Sequence, residues 1–168
     1  MGEEYIVYKY NSNVNQTIEF ESLLKKLKLQ KGKKLDFRNR EMIIKWIYHM
    51  ISTCGRVKVL SLFSEMGLVH YSFICLKSIK FSFLNKRDCV IGPCWTKESF
   101  RGNKIYPTTI NYIANEYKNN NVNAAVYILI RENNIESTNA VNHSGTWLPV
   151  GKIRKNTLKQ YKECTWYE

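Results

Sequence analysis

Between Cys89 and Pro107 the chain reads Cys-Val-Ile-Gly-Pro-Cys-Trp-Thr-Lys-Glu-Ser-Phe-Arg-Gly-Asn-Lys-Ile-Tyr-Pro. An apolar, β-prone run passes through Arg101-Gly102 into a helical pattern, which predicts a strand joined to a helix by a short basic loop. Backbone N–H groups in the first turn of a helix lack partners within it and carry the positive end of its dipole, so they bind phosphate. Glycine lets the chain pass close to such an anion, and Arg101 and Lys104 add charge. Pro107 needs no N–H partner and suits a first helical turn, which places the helix start near Asn103. The same residues also suit an ordinary turn with solvated cations.

Charge points the same way but less sharply. The 168 residues carry 26 Lys+Arg against 14 Asp+Glu, a formal net charge of +12, and imply an anionic partner or substrate without naming it. Lysine is abundant in a chain also rich in Asn, Ile and Tyr, so part of the excess is compositional. The length predicts one domain over residues 1–168. No apolar run approaches the roughly 20 residues of a membrane span. Met1 to Tyr10 shows neither a secretory leader nor a myristoylation signal. Cys54, Cys75, Cys89, Cys94 and Cys164 have neither zinc-ligand nor disulfide-framework spacing, so reduced and mostly buried thiols, no metal and a cytoplasmic location are expected.

The elements that must hold the central loop follow from periodicity. Tyr5 to Tyr10 predicts a strand, Thr17 to Leu29 a helix broken at Lys31 to Lys34, and Arg38 to Cys54 a second helix stopped by Gly55. Val57 to Phe63 and Leu68 to Leu76 predict a hairpin, and Cys89 to Thr96 a further strand. Ile79 to Phe83 suits a strand or a loop. Thr108 to Tyr117 predicts a helix, Ala124 to Ile130 a strand and Ile135 to His143 a short helix. Strands near Trp147 to Ile153 and Tyr161 to Tyr167 close the chain. The order β-α-α-β-β-β-α-β-α-β-β describes an α/β protein of the α+β kind, with a mixed sheet and helices on its faces.

The central segment resembles the acyl-CoA-binding motif of the GCN5-related N-acetyltransferase (GNAT) superfamily. That motif, Arg/Gln-x-x-Gly-x-Gly/Ala between the fourth strand and third helix, cradles the pyrophosphate of coenzyme A. Here it stands as Ser99-Phe100-Arg101-Gly102-Asn103-Lys104, followed by Ile105-Tyr106. The approach Gly92-Pro93-Cys94-Trp95-Thr96 is similar to that of small bacterial members. A second match runs from the strand at Ala124 to Ile130 through Asn134-Ile-Glu-Ser137 to Gly145 and Val150-Gly151. The resemblance implies a GNAT-like fold and transfer of an acetyl or other short acyl group from acyl-CoA to an amine, with a hydroxyl as the lesser alternative, by direct attack on the thioester. A sugar nucleotide, amino sugar or other small metabolite is the implied acceptor. Coenzyme A and that amine are the implied partners, with neither membrane nor nucleic acid, and a homodimer is left open.

Roles follow position by position. Cys94, Trp95, Thr96, Ser99 to Tyr106, Asn134 and Ser137 would meet the cofactor, with the Cys94 backbone N–H at the thioester, since Pro93 has none. Cys94 as a nucleophile lacks an adjacent base in the sequence. Asp88, at the start of the fourth strand, matches a glutamate base of the histone-acetylating branch, though a solvated strand-end carboxylate beside Arg87 is the more ordinary reading. Glu65 and His70 lie in the hairpin that often borders the acceptor, where turn and strand residues are ordinary. His143, in place of a frequent lysine, could donate a proton or simply end a helix. Trp95 and Tyr106 suit the pantetheine channel or the core. Three departures stand out: Ser99 replaces Arg or Gln, Lys104 replaces Gly or Ala, and Val141 occupies the usual tyrosine acid position. They raise the alternative of a catalytically weak coenzyme A binder. The other alternative is a nucleic-acid-binding module using Lys25, Lys26, Lys28, Lys31, Lys33 and Lys34 with Phe37 and Arg38, a run that more often is a solvated helix face and loop.

Overall fold

The computed structural model describes residues 3–11, 17–25, 27–32, 39–156 and 160–168. Its frame is a sheet of eight strands in the order β2-β3-β4-β5-β6-β1-β7-β8. The strands are β1 (Glu4–Tyr10), β2 (Lys28–Gly32), β3 (Val57–Ser64), β4 (Gly67–Leu76), β5 (Cys89–Thr96), β6 (Val126–Arg131), β7 (Trp147–Lys155) and β8 (Tyr161–Trp166). The helices are α1 (Thr17–Leu24), α2 (Arg40–Ser52), α3 (Ile105–Asn120) and α4 (Ile135–Asn142).

The architecture agrees with the expected mixed sheet, with one strand more. Helix α1 stops at Leu24, and Lys28–Gly32, which spans the expected end of that helix at Leu29 and the break after it, pairs antiparallel with β3 instead. In this stretch the alternation of Leu27 and Leu29 on an edge strand outweighs the helical spacing that Leu23, Leu24 and Leu27 suggest. Residues 77–88 form turns rather than a strand, touching the sheet through an isolated bridge from Phe81 to Tyr161. Only Cys75 and Cys89 are buried; Cys94 and Cys164 are half-buried and Cys54 is exposed, so the expectation of mostly buried thiols does not hold.

Two apolar cores lie on opposite faces of the sheet. On one, Ile91, Ile128 and Ile130 pack with Phe20 of α1, Ile105, Ile110 and Ile113 of α3, and Val141 of α4. On the other, Val57, Val59, Phe73, Val90 and Tyr127 pack with Met42, Trp46 and Met50 of α2 and with Phe81 and Leu84. Alternation along each strand sends successive side chains to opposite cores, as at Val90 and Ile91 or Tyr127 and Ile128. Asn39 caps α2 by accepting the Met42 N–H at 2.9 Å. Asn111 locks α3 to the start of β7, its buried Oδ1 accepting from Thr146 Oγ1 at 2.9 Å and Trp147 Nε1 at 2.7 Å.

The centre of the sheet is split. β5 and β6 run parallel and pair only from Cys89↔Val126 to Ile91↔Ile128. Immediately beyond, the β4–β5 register shifts, and Gly92 sits at φ +136°, a conformation L side chains rarely adopt. Such a bulge bends its strand. Past it, β5 stays paired with β4 through Thr96↔His70, while β6 stays paired with β1 through Arg131↔Tyr5. The two strands therefore part into a notch.

Candidate active site

One cavity of about 1230 Å³ occupies this notch and reaches both layers. Its walls are Val90 to Thr96 of β5 and Ile128 to Arg131 of β6. From the α3 side come Phe100, Arg101, Gly102 and the first turn of α3, together with Asn134, Ser137 and His143 around α4. From the α2 side come Lys45, Tyr48 and His49 of α2, Lys80 and Phe81 of the 77–88 loop, and Tyr5, Lys155 and Tyr161.

The loop between β5 and α3 is built as its residue types require. A short 3-10 turn, Glu98–Phe100, leads to Gly102 at φ +79°, and Lys104 precedes the helix in the left-handed region at φ +56°. Helix α3 opens at Ile105, two residues later than the Asn103 start the sequence suggests, with Pro107 in its first turn. No side chain caps this helix, so its first N–H groups are left for a ligand. A Cβ built on Gly102 meets nothing within 4 Å, so the space above the loop is open. Asn103 Nδ2 pins the turn through the carbonyls of Phe100 and Arg101 at 3.2 and 3.3 Å, and Arg101 Nε donates to the Thr96 carbonyl at 3.3 Å. An open glycine loop, an uncapped helix start and two exposed cations fit a pyrophosphate.

Of the residues singled out in the sequence, Cys94, Trp95, Thr96, Phe100, Arg101, Gly102, Lys104, Ile105, Tyr106, Asn134, Ser137 and His143 line this cavity. Ser99 and Asn103 are in the loop but not on its wall, and Glu65 is exposed at the tip of the β3–β4 hairpin. Asp88 is also away from the wall. It is buried, and its carboxylate accepts the N–H groups of Asn85 and Ala125, both at 2.9 Å. Those bonds tie the 77–88 loop to the start of β6, so its geometry is that of a brace. Asn134 caps α4, accepting the Ser137 N–H at 3.1 Å. His143 Nδ1 engages the Asn139 carbonyl at 2.6 Å. Val141 is fully buried in the core.

His70 has a different place from the one its hairpin position suggests. It is fully buried behind β5, with Nδ1 2.8 Å from Thr96 Oγ1 and Nε2 2.8 Å from Ser72 Oγ, and Ser72 Oγ donates to Cys94 Sγ at 3.1 Å. This ladder satisfies every polar group along it with a neutral imidazole and holds the two cavity-facing side chains, Cys94 and Thr96, in place. Burial pushes the Cys94 thiol up to about 12, so at neutral pH it is a thiol and not a thiolate nucleophile.

Sequence reasoning missed the α2 side. Lys80 is only 6% exposed, with Nζ 3.4 Å from His49 Nδ1, 4.4 Å from the Tyr48 ring centroid and 5.2 Å from that of Phe81. Burial, then Lys80 and Lys45, hold His49 down to about 3. Burial alone does the same to His70, also to about 3. Both histidines are therefore neutral in the fold and basic near 6.5 when unfolded, so the unfolded chain binds more protons between those values. Stability is expected to be complete above about pH 6.5 and to fall as pH drops toward 3, by up to about 1.4 kcal/mol per pH unit for each histidine. Urea melts at pH 7 and pH 5 check this, and His70→Gln should show a shallower pH dependence than the parent.

The Lys25–Lys34 run is described only in part. Lys31 bonds Glu116 of α3 at 2.7 Å and Lys25 and Lys28 are exposed, while Lys26, Lys33, Lys34, Phe37 and Arg38 lie outside the described residues. Among the described residues no three His, Cys, Asp or Glu side chains gather as a metal site, and no helix is long and apolar enough to cross a membrane.

No protein-family model and no curated protein matches the chain. Solved structures do. An acetyltransferase of the GNAT family from Colwellia psychrerythraea aligns over 87% of this chain and 52% of its own, with a TM-score of 0.55 at 11% identity. The fold is GNAT-like. A conserved protein of unknown function from Staphylococcus epidermidis aligns over 90% of this chain and 60% of its own, with a TM-score of 0.57 at 10% identity. The chain thus spans half to three-fifths of the length of these two neighbours. In this GNAT-like frame the notch, the loop at Gly102 and the N-terminus of α3 share one cavity.

Proposed function

We propose that the protein is an acyl-CoA-dependent acyltransferase that moves a short acyl group to the amine of a small molecule. The observation that carries this reading is a cavity crossing the sheet between β5 and β6, with an uncapped helix start and a cationic loop on one side. Two reactants approaching from opposite faces would meet in the notch, which turns a bimolecular encounter into a held geometry. The likeness to a GNAT-family acetyltransferase supports it at the level of fold.

In this reading the first N–H groups of α3, with Arg101 and Lys104, hold the pyrophosphate of coenzyme A. The pantetheine arm runs along the β5 edge that β6 leaves unpaired, past Cys94 and Thr96. The backbone N–H of Cys94 meets the thioester oxygen as charge develops there. A neutral amine entering from the α2 side attacks the thioester carbon, the new C–N bond forms and the C–S bond breaks. The nitrogen releases its proton to water, and the leaving sulfur takes one from Tyr106. Tyr106 lines the cavity, and burial first, then Cys94 and Tyr8, raise its phenol well above 10, so it is protonated at neutral pH. It takes the part that Val141 cannot.

Coenzyme A at 100 times its dissociation constant should stabilise the fold by about 2.7 kcal/mol, a rise in melting temperature of roughly 5–10 °C. Free thiol released from acetyl-CoA over an amine panel then separates turnover from binding. No thermal shift with any short acyl-CoA overturns the assignment.

A further inference from the structure

Beyond the register shift near Gly92, β5 has left β6 and is paired with β4 alone, through Ser72↔Cys94, Tyr71↔Trp95 and His70↔Thr96. Cys94, Trp95 and Thr96 all line the cavity, so the wall nearest the proposed chemistry is a strand arm with one open edge. Such an arm positions a reacting group to a fraction of an ångström only if its remaining partner holds it firmly. Two sets of contacts do so, one on each face of the sheet, since Cys94 belongs to the α3-side core and Trp95 to the α2-side core. On the first face Ser72 and His70 join Cys94 and Thr96 in a polar ladder, with steps of 3.1, 2.8 and 2.8 Å. On the second the Trp95 ring stacks on Tyr71, with centroids 5.6 Å apart and planes 18° from parallel. His70, Tyr71 and Ser72 are fully buried, so water cannot replace these contacts.

Resting on the acyltransferase reading, we infer that His70, Tyr71 and Ser72 are positioning residues that clamp the Cys94–Thr96 arm from both faces, His70 acting through its Nε2–H tautomer. The direction of the ladder sets that tautomer. Ser72 Oγ donates to Cys94 Sγ, so it accepts from His70, which puts the imidazole proton on Nε2 and leaves Nδ1 to accept from the Thr96 hydroxyl. Neither hydroxyl can turn away without orphaning a buried imidazole nitrogen. The clamp bears on rate more than on binding. In this reading the phosphates of coenzyme A are held by the loop and α3, on separate residues, whereas the Cys94 N–H meets the thioester oxygen as charge develops. A loosened arm therefore costs transition-state stabilisation and leaves the grip on coenzyme A nearly unchanged.

Thr96→Val removes one end of the ladder at nearly constant shape, and Ser72→Ala removes its middle and serves if the first variant fails to fold. Each should lower kcat by about 10- to 100-fold, the scale of a misplacement of about 1 Å, with the dissociation constant of coenzyme A by calorimetry within a few-fold of the parent's. Thr96→Ser keeps the hydroxyl and should recover most of the loss, and Tyr71→Leu, which removes the stack, should act like Thr96→Val. Asn39→Ala removes the cap of α2, away from the ladder, and is the control for lost stability, with kcat expected near the parent's. Nitrogen NMR of the full chain with labelled imidazoles should find the His70 proton on Nε2 at neutral pH. A proton on Nδ1, parental kcat in both Thr96→Val and Ser72→Ala, coenzyme A affinity lost in step with kcat, or an equal loss in Asn39→Ala overturns the inference alone. A parent that shows no thermal shift and no turnover with any short acyl-CoA overturns the acyltransferase reading, and the clamp's role in catalysis falls with it.

Discussion

Gly102→Asp is expected to weaken coenzyme A binding by about 10- to 100-fold, which corresponds to about 1.4–2.7 kcal/mol. Two effects add. Gly102 is at φ +79°, where an L residue is strained, so the loop must relax or carry a cost of order 1–3 kcal/mol. The new carboxylate would also project into the open space above the loop, where nothing lies within 4 Å of a built Cβ and where the reading places a pyrophosphate. Gly102→Ala separates the two, because it carries the backbone cost without the charge. The expected order of affinity is parent, then alanine, then aspartate, and the gap between the two variants should shrink as salt rises. Equal affinity in all three would show that the anion does not sit on this loop.

What the sequence makes legible is what short stretches of chain decide. The β5–loop–α3 segment can be read because a strand, a glycine, two cations and Pro107 lie within nineteen consecutive residues, Cys89 to Pro107, and the structure keeps that order. Its chemistry needs only backbone N–H groups at a helix start, and those follow from local structure. Pairing over long range is not legible. β1 lies between β6 and β7, so the first strand flanks the cavity wall it would otherwise be remote from, and no local pattern signals that partner choice. β2, five residues in a lysine-rich stretch, reads as a helix end and the break after it until its partner β3 is known.

The same division explains the site residues. Asp88 and His70 have the right chemistry for a base, and only tertiary contacts show what their polar atoms do. Asp88 accepts two backbone N–H groups, and His70 is enclosed between Thr96 and Ser72. Lys80 and His49 come from a turn and a helix 31 residues apart, and meet because α2 and the 77–88 loop cover the same sheet face. A lone lysine after Ser-Ile in a loop signals nothing by itself. One signal was present: Lys80 is followed by Phe81-Ser-Phe, aromatic residues that a solvated loop does not need.

Replacing Tyr106 with phenylalanine is expected to lower kcat by about 10²- to 10⁴-fold, the usual worth of a positioned proton donor, with little change in coenzyme A binding. The substitution removes a single oxygen and keeps the ring, which packs against the α3-side core. The thermal shift with coenzyme A should therefore persist, whereas a merely structural role would move stability and turnover together. A phenol raised well above 10 stays protonated across the accessible pH range, so its removal should not shift the acid limb of the pH–rate profile. The rival donor is His143, which lines the cavity with its Nδ1 engaged by the Asn139 carbonyl. His143→Gln is expected to leave kcat within a few-fold of the parent. A large loss there with Tyr106→Phe near parental activity would transfer the acid role to α4 and leave the rest of the site assignment standing. Tyr106 and His143 both line the cavity, so the two variants together decide which wall supplies the proton to the leaving sulfur.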